Sequence, residues 1–168
     1  MRHIMKRLIP VLLAVLLLTM CVAHAAQETE YPATRNFIEY LESKDIKYTY
    51  EGMQNEKEVL TISSTLDNFE SLAVMCYFNK DSEEVSLRIW NIVTATAGRN
   101  NVLSTLNSLN AAYKFVKFVL DESDSTVQAE IDIYIDGDHC GRSVYDAMMA
   151  AFNVTDNDDA AAQLHALE

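Results

Sequence analysis

The stretch Leu72-Ala73-Val74-Met75-Cys76-Tyr77-Phe78-Asn79-Lys80-Asp81-Ser82-Glu83-Glu84-Val85-Ser86-Leu87-Arg88-Ile89 decides the fold. Its first seven residues are apolar on both sides. Leu72, Val74, Cys76 and Phe78 fall on one face, and Ala73, Met75 and Tyr77 on the other. A run of this length and pattern is a strand in the middle of a sheet. Asn79 to Glu83 is a polar turn. From Glu84 to Thr94, Val85, Leu87, Ile89 and Val93 again share one face. Two such runs joined by a short polar turn predict an antiparallel hairpin.

Toward the N-terminus, Glu58 to Ser64 carries Val59, Leu60 and Ile62, and Lys47 to Glu51 alternates with Tyr48 and Tyr50. Both read as short strands on either side of a polar turn, Gly52 to Lys57. Before them, Phe37, Ile38 and Leu41 lie on one face of a helix introduced by Pro32, with Thr34 as its expected cap.

Toward the C-terminus, Gly98, Asn100 and Asn101 end the strand pattern. Val102, Leu103, Leu106, Leu109 and Tyr113 then form the stripe of an amphipathic helix. Lys114 to Leu120 is apolar on both faces and leads into the turn Asp121 to Ser125. Val127, Ala129, Ile131, Ile133 and Ile135 next alternate with Gln128, Glu130, Asp132, Tyr134 and Asp136, the mark of a strand with one wet face. Ser143 with Asp146 three residues on is a reduced capping box, which announces a last helix. Its stripe is Val144, Tyr145, Met148, Met149 and Phe152.

The predicted order is α-β-β-β-β-α-β-β-α. Successive hairpins with short connections imply an α+β domain, an antiparallel sheet with flanking helices. One domain is expected over residues 33–153. Residues 154–168, acidic and then Ala-rich, read as a frayed tail.

The first residues carry a different message. A basic head, Arg2, Lys6 and Arg7, precedes an apolar run from Leu8 to Met20 and the ending Ala23-His24-Ala25. This is the three-part pattern of a secretory signal, residues 1–25, cleaved after Ala25. The run is shorter than the roughly 20 apolar residues of a membrane span. No span is therefore expected after cleavage, and the mature chain belongs outside the cytoplasm, secreted or periplasmic. A second route is open at Leu18-Thr19-Met20-Cys21, which is similar to the lipobox of bacterial lipoproteins and would tether the chain through Cys21.

Cleavage removes Arg2, Lys6 and Arg7 and no acid, which moves the formal charge from −12 to −15. So acidic a chain repels a phosphate backbone, which disfavours nucleic acid as a partner. Cys76 and Cys140 remain after processing, and in an oxidising compartment they are a candidate disulfide.

Catalytic chemistry has little to stand on. Asp136, Asp138, His139 and Cys140 are the only cluster of potential metal ligands. Structural zinc needs four ligands at paired spacings, and no second pair exists. An EF-hand loop needs further oxygen ligands and a closing Glu, which this stretch lacks. A turn at a strand end is the simpler account, and metal binding or metal-dependent catalysis there is the alternative. No Ser lies in a Gly-x-Ser-x-Gly elbow, and four glycines leave no phosphate-cradling loop. No catalytic residue and no cofactor are expected. Tyr145, Met148, Met149 and Phe152 are a candidate partner face, since Met-rich surfaces adapt to varied ligands.

Leu106-Asn107-Ser108-Leu109-Asn110-Ala111-Ala112-Tyr113-Lys114-Phe115-Val116-Lys117-Phe118 resembles a motif of the YbjN-like domains, a Leu-Asn-x-Leu/Ile-Asn helix end followed by a Lys-bearing strand. Phe37-Ile38-Glu39-Tyr40-Leu41 leading into Ile46-Lys47-Tyr48-Thr49-Tyr50-Glu51 is similar to the opening helix and first strand of that family. The fold of those domains is similar to that of type III secretion chaperones. The resemblance implies a small non-enzymatic binding or regulatory domain that engages a protein or peptide, with a homodimer among its possible states. Those chaperones work in the cytoplasm, and the export signal sets this chain apart from them. Asn107 and Asn110 lie near a helix C-terminus, where Asn can cap or take the left-handed conformation, which makes them markers of the fold rather than site residues.

Overall fold

A computed structural model describes residues 29–81, 83–136 and 139–168. The expected export signal, Cys21, and Gly137 and Asp138 of the candidate metal loop lie outside the described residues. The described residues form an α+β fold with a six-stranded antiparallel sheet and four helices. In order these are α1 (Pro32–Ser43), β1 (Thr49–Gln54), β2 (Lys57–Ser64), β3 (Leu72–Phe78), β4 (Glu84–Thr94), α2 (Arg99–Ala112), β5 (Lys117–Asp121), β6 (Thr126–Tyr134), α3 (Gly141–Thr155) and α4 (Asp158–His165).

Strand order in the sheet is β1-β2-β3-β4-β6-β5. Every neighbouring pair is antiparallel, so β1 to β4 form a meander and the β5–β6 hairpin adds through β6. The hairpin expected at Leu72 to Thr94 forms with Phe78 opposite Val85 and Cys76 opposite Leu87. The β1–β2 hairpin turns more tightly than its sequence suggests. Gln54 pairs with Lys57 across the two residues Asn55 and Glu56, both at positive φ. That is the turn geometry whose twist matches the flanking strands. Gly52, expected in the turn, lies instead within β1 at a bulge, at φ 81°.

Alternation sends Leu60, Ile62, Val74, Cys76, Phe78, Val85, Leu87, Phe118 and Ala129 to one face of the sheet. There they form a single core with Phe37 and Leu41 of α1, Leu106 and Leu109 of α2, and Val144, Met148 and Phe152 of α3. Removing a large apolar side chain from water is worth about 1.5–3 kcal/mol, so this one face carries most of the stabilisation. Gly141 starts α3 against α1, and a Cβ there would sit 2.7 Å from the Asn36 carbonyl oxygen and 2.8 Å from Tyr40 Cβ. Only glycine allows that approach.

Three local expectations are corrected. Thr34 is buried inside α1 rather than at its start; Tyr31 is the N-cap, and the Glu58 carboxylate takes the entering backbone N–H groups. Ser143 lies within α3, whose first amide, Gly141 N–H, donates to Asn36 Oδ1 at 2.7 Å. Residues 154–168 are not a frayed tail: they finish α3 and form α4. Asn157 caps α4 by accepting from the Asp159 and Ala160 amides, and Asp158 and Asp159 lie in its first turn, where acids favour the helix dipole. Ala160, Ala161, Leu164 and Leu167 then enter the core at offsets 0, 1, 4 and 7. A stripe made largely of alanine has little hydrophobic contrast, and that is why it reads as a tail.

Asn110 does not cap its own helix. Its side-chain amide reaches across to the edge strand β5, where Oδ1 accepts from Phe118 N–H at 2.7 Å and Nδ2 donates to the Phe118 carbonyl at 2.9 Å. This pair of bonds occupies both outward groups of Phe118, as a neighbouring strand would, and closes that edge to other chains.

Candidate functional site

The sequence-derived candidates are dispersed by the fold. Met148 and Phe152 are buried in the core, and Tyr145 and Met149 are half-buried against it. The Tyr145 ring instead meets Tyr40 of α1 at 5.5 Å between centroids. The stripe on α3 is therefore packing and not an open partner face. No disulfide joins Cys76 to Cys140. Cys76 is sealed in the centre of β3, where burial pushes its thiol well above the ordinary value. Cys140 is buried at the start of α3, with Sγ 3.5 Å from the Ala33 carbonyl oxygen. In the loop before it, Asp136 and His139 are exposed and joined only by a turn bond from His139 N–H to the Asp136 carbonyl. Among the described residues no group of three His, Cys, Asp or Glu side chains is placed to hold a metal ion.

The feature that the structure brings forward is the other face of the sheet. Thr61, Ala73, Met75, Tyr77, Ser86, Arg88, Trp90, Gln128, Glu130 and Asp132 alternate with the core residues along β2, β3, β4 and β6, and none of them belongs to the core. No described helix packs on this side. The register sets two cross-strand rows: Val59, Tyr77, Ser86 and Asp132 in one, Thr61, Met75, Arg88 and Glu130 in the next.

Over these rows stands an ordered cluster. The Trp90 indole N–H donates to the Tyr77 hydroxyl at 3.1 Å, and that hydroxyl in turn donates to Met75 Sδ at 3.5 Å. Trp90 is nevertheless 40 % exposed. Beside it, Arg88 is locked by four contacts. One guanidinium nitrogen donates to the Leu87 and Ile131 carbonyls at 2.8 and 3.1 Å, another to Asp132 at 2.8 Å, and Nε lies 3.8 Å from Glu130. A guanidinium held this way cannot swing away, so the cluster is fixed from below.

An irregularity in β4 begins at the tryptophan. Ile89 faces Ala129 and Val93 faces Val127, which leaves Trp90, Asn91 and Ile92 opposite the single residue Gln128. Asn91 takes φ 53° in this bulge, and its Oδ1 accepts from the buried Thr126 hydroxyl at 3.0 Å. Ile92 and Val93 both turn inward, while Trp90 and Asn91 are both exposed. A left-handed conformation at a non-glycine residue costs about 1–3 kcal/mol and concentrates where a side chain must be presented.

Sequence reasoning missed this site although one signal was present. Trp90 continues the outward register of Glu84, Ser86 and Arg88 on β4, a poor place for a large apolar residue on a solvated face. The bulge itself leaves no mark in the residues.

No family model matches the chain, and no curated protein or solved structure compared with it does. Among the described residues, no helix is long and apolar enough to cross a membrane.

Proposed function

We propose that this chain is an exported, non-enzymatic binding or regulatory domain of YbjN-like type, with the general plan of a secretion-chaperone fold, and that it engages a protein or peptide partner. The observation that carries the reading is the sheet face turned away from the core, where Trp90 is exposed, Met75 and Tyr77 are half-buried, and all three are ordered by hydrogen bonds. Aromatic, Met and Arg side chains are the types enriched at interface centres. An antiparallel sheet needs cover on one face only, which leaves the second available for a partner. The acidic balance of the chain suits solubility in the free state.

The test compares recovery of extracytoplasmic proteins on the wild-type chain and on a Met75→Glu variant, with light scattering of each alone. A partner held by the wild type and lost by the variant is expected. A strict monomer that recovers the same proteins with and without the substitution, or none, overturns the reading. The mass of the exported chain reports its compartment chemistry: a start at Ala26 is expected, and an acylated Cys21 would replace release by tethering.

A further inference from the structure

The same face has an electrostatic bias that narrows the partner. Along β4 and β6 its charged residues are Glu84, Arg88, Glu130 and Asp132; β5 adds Lys117, opposite Glu130, and Asp121, and β2 adds Lys57, so the face as a whole sets three cations against four carboxylates. Arg88 is consumed internally, held to Glu130 and Asp132 and to two backbone carbonyls. It offers no charge to an incoming anion. Asp132 remains half-exposed at its side chain even while paired. Next to Arg88 along β4 stands Trp90, its indole N–H bonded to the Tyr77 hydroxyl.

An exposed indole on a face with a slight excess of carboxylate is the arrangement that attracts a cationic side chain. The ring face draws a guanidinium or ammonium group through its quadrupole, a contact worth about 0.5–1 kcal/mol when exposed and 2 or more when desolvated. The nearby carboxylates Glu130 and Asp132 are partly neutralised by Arg88, and Glu130 also accepts from Gln128 Nε2 at 2.7 Å, so they add to it only through the charge left exposed on them. The whole chain, at formal charge −12, steers a cation toward the protein and repels both an acidic partner and a second copy of itself.

We propose that the Trp90–Tyr77 platform is the docking site for a basic polypeptide segment, with an Arg or Lys side chain stacked on Trp90 and paired toward Glu130 and Asp132. This rests on reading the open face as the binding surface. Trp90 supplies contact area and the cation–π interaction, Tyr77 holds the indole N–H, and the acidity of the chain sets the sign of the partner. No bond is made or broken.

Trp90 is the single tryptophan of the chain, so its fluorescence reports the site directly. The purified protein is titrated with a short peptide rich in arginine and lysine, and in parallel with a glutamate-rich peptide of equal length. The basic peptide is expected to give a saturable change in emission that weakens with salt, and the acidic peptide none. Calorimetry then compares variants whose folding is checked by circular dichroism. Trp90→Ala is expected to weaken the basic peptide about tenfold, with Trp90→Phe between it and wild type. If Trp90→Ala does not fold, the double variant Glu130→Gln with Asp132→Asn, which spares the platform, is expected to weaken binding several-fold.

Equal affinity in wild type and the variant that folds overturns the proposal, since attraction would then come from the acidic surface at large. Absence of a saturable emission change overturns it too. A concentration-dependent emission shift of the protein alone, with no response to the basic peptide, would replace the basic segment by a second copy and leave the open-face reading standing. Partner recovery that is indifferent to Met75→Glu would remove that reading itself.

Discussion

Two carboxylates do the same job at opposite ends of the molecule under different solvation. Glu58 of β2 accepts from the backbone N–H groups of Glu30 and Tyr31 at 2.6 and 3.2 Å and from the Tyr50 hydroxyl at 2.8 Å. This ties the start of α1 to the sheet. Asp156, between α3 and α4, accepts from the N–H groups of Asp67 and Asn68 at 3.1 and 2.8 Å, while its own carbonyl accepts from Asn68 Nδ2 at 2.7 Å. This ties the β2–β3 connection to the last two helices. Glu58 is fully buried and Asp156 is half-buried at the surface.

The difference teaches where such a clamp gets its strength. A buried carboxylate needs donors for most of its lone pairs, and Glu58 has three, with the positive end of α1 just beyond. In return the Tyr31 amide, whose bond is buried, depends on Glu58, while the Glu30 and Tyr50 donors are only part-buried. Tyr50 shows the coupling: burial, then the bond to Glu58 and its negative charge, push its phenol far above the usual value. Around Asp156, solvent can take over each bond.

The sharpest way to break the comparison is Glu58→Ala. The buried Tyr31 amide loses its acceptor at about 1–3 kcal/mol for an unsatisfied buried group, and the part-buried Glu30 and Tyr50 donors lose theirs at about 0.5–1.5 kcal/mol each. Urea denaturation should show a loss of about 3 kcal/mol or more. A loss below 1 kcal/mol would mean that water reaches the clamp and that burial is not its source of strength.

Asn110→Ala probes a third tie, made by a neutral amide at the half-buried β5 edge. It should cost about 1–2 kcal/mol for two bonds and free the outward groups of Phe118. Increased self-association in sedimentation is the accompanying sign of an opened edge. Asp156→Ala should fall lower, near 1 kcal/mol, since its donors become hydrated. Equal losses for Asp156→Ala and Glu58→Ala would erase the contrast altogether.

The smallest expected effect is a pH dependence at His165, next to the Asp156 clamp. One ring nitrogen faces Glu168 Oε2 at 2.9 Å and the other the Asn68 carbonyl at 3.1 Å, and the ring stacks on Phe69 at 4.8 Å. Two acceptors favour the doubly protonated ring. Bonding to Glu168, then to Asn68, raises its pKa above the ordinary 6.5. A raised folded value makes the contribution fully present below about pH 6.5 and lost as pH rises through the folded value. The group is largely solvated, so screening reduces the effect to a few tenths of a kcal/mol. His165→Gln should flatten the stability profile in that window, and an unchanged profile would show that the ring does not titrate there.

Much of the fold could be read from the residues because alternation and helical stripes are local. The seven-residue pattern of Leu72 to Phe78 and the alternation from Val127 to Ile135 named their strands, and the stripe from Val102 to Leu109 named α2. Where contrast was low, reading failed. Alanines hid the inward stripe of α4, and the stripe of α3 offered as a partner surface became core because α1 and the sheet close over it. A periodicity tells which residues share a face, not whether that face meets solvent.

The sequence by itself therefore determined the α+β class, the succession of elements up to α3 and the acidity of the chain. These follow from composition and from the periods of two and 3.6 residues. Only the tertiary structure decided that β6 inserts between β4 and β5, that Glu58 and Asn110 act on backbone far away in sequence, and that Trp90 meets Tyr77 on a sheet face against which no described helix packs. Those relations join residues whose separation along the chain carries no signal, and they arise when apolar faces find cover and each buried polar group finds a partner.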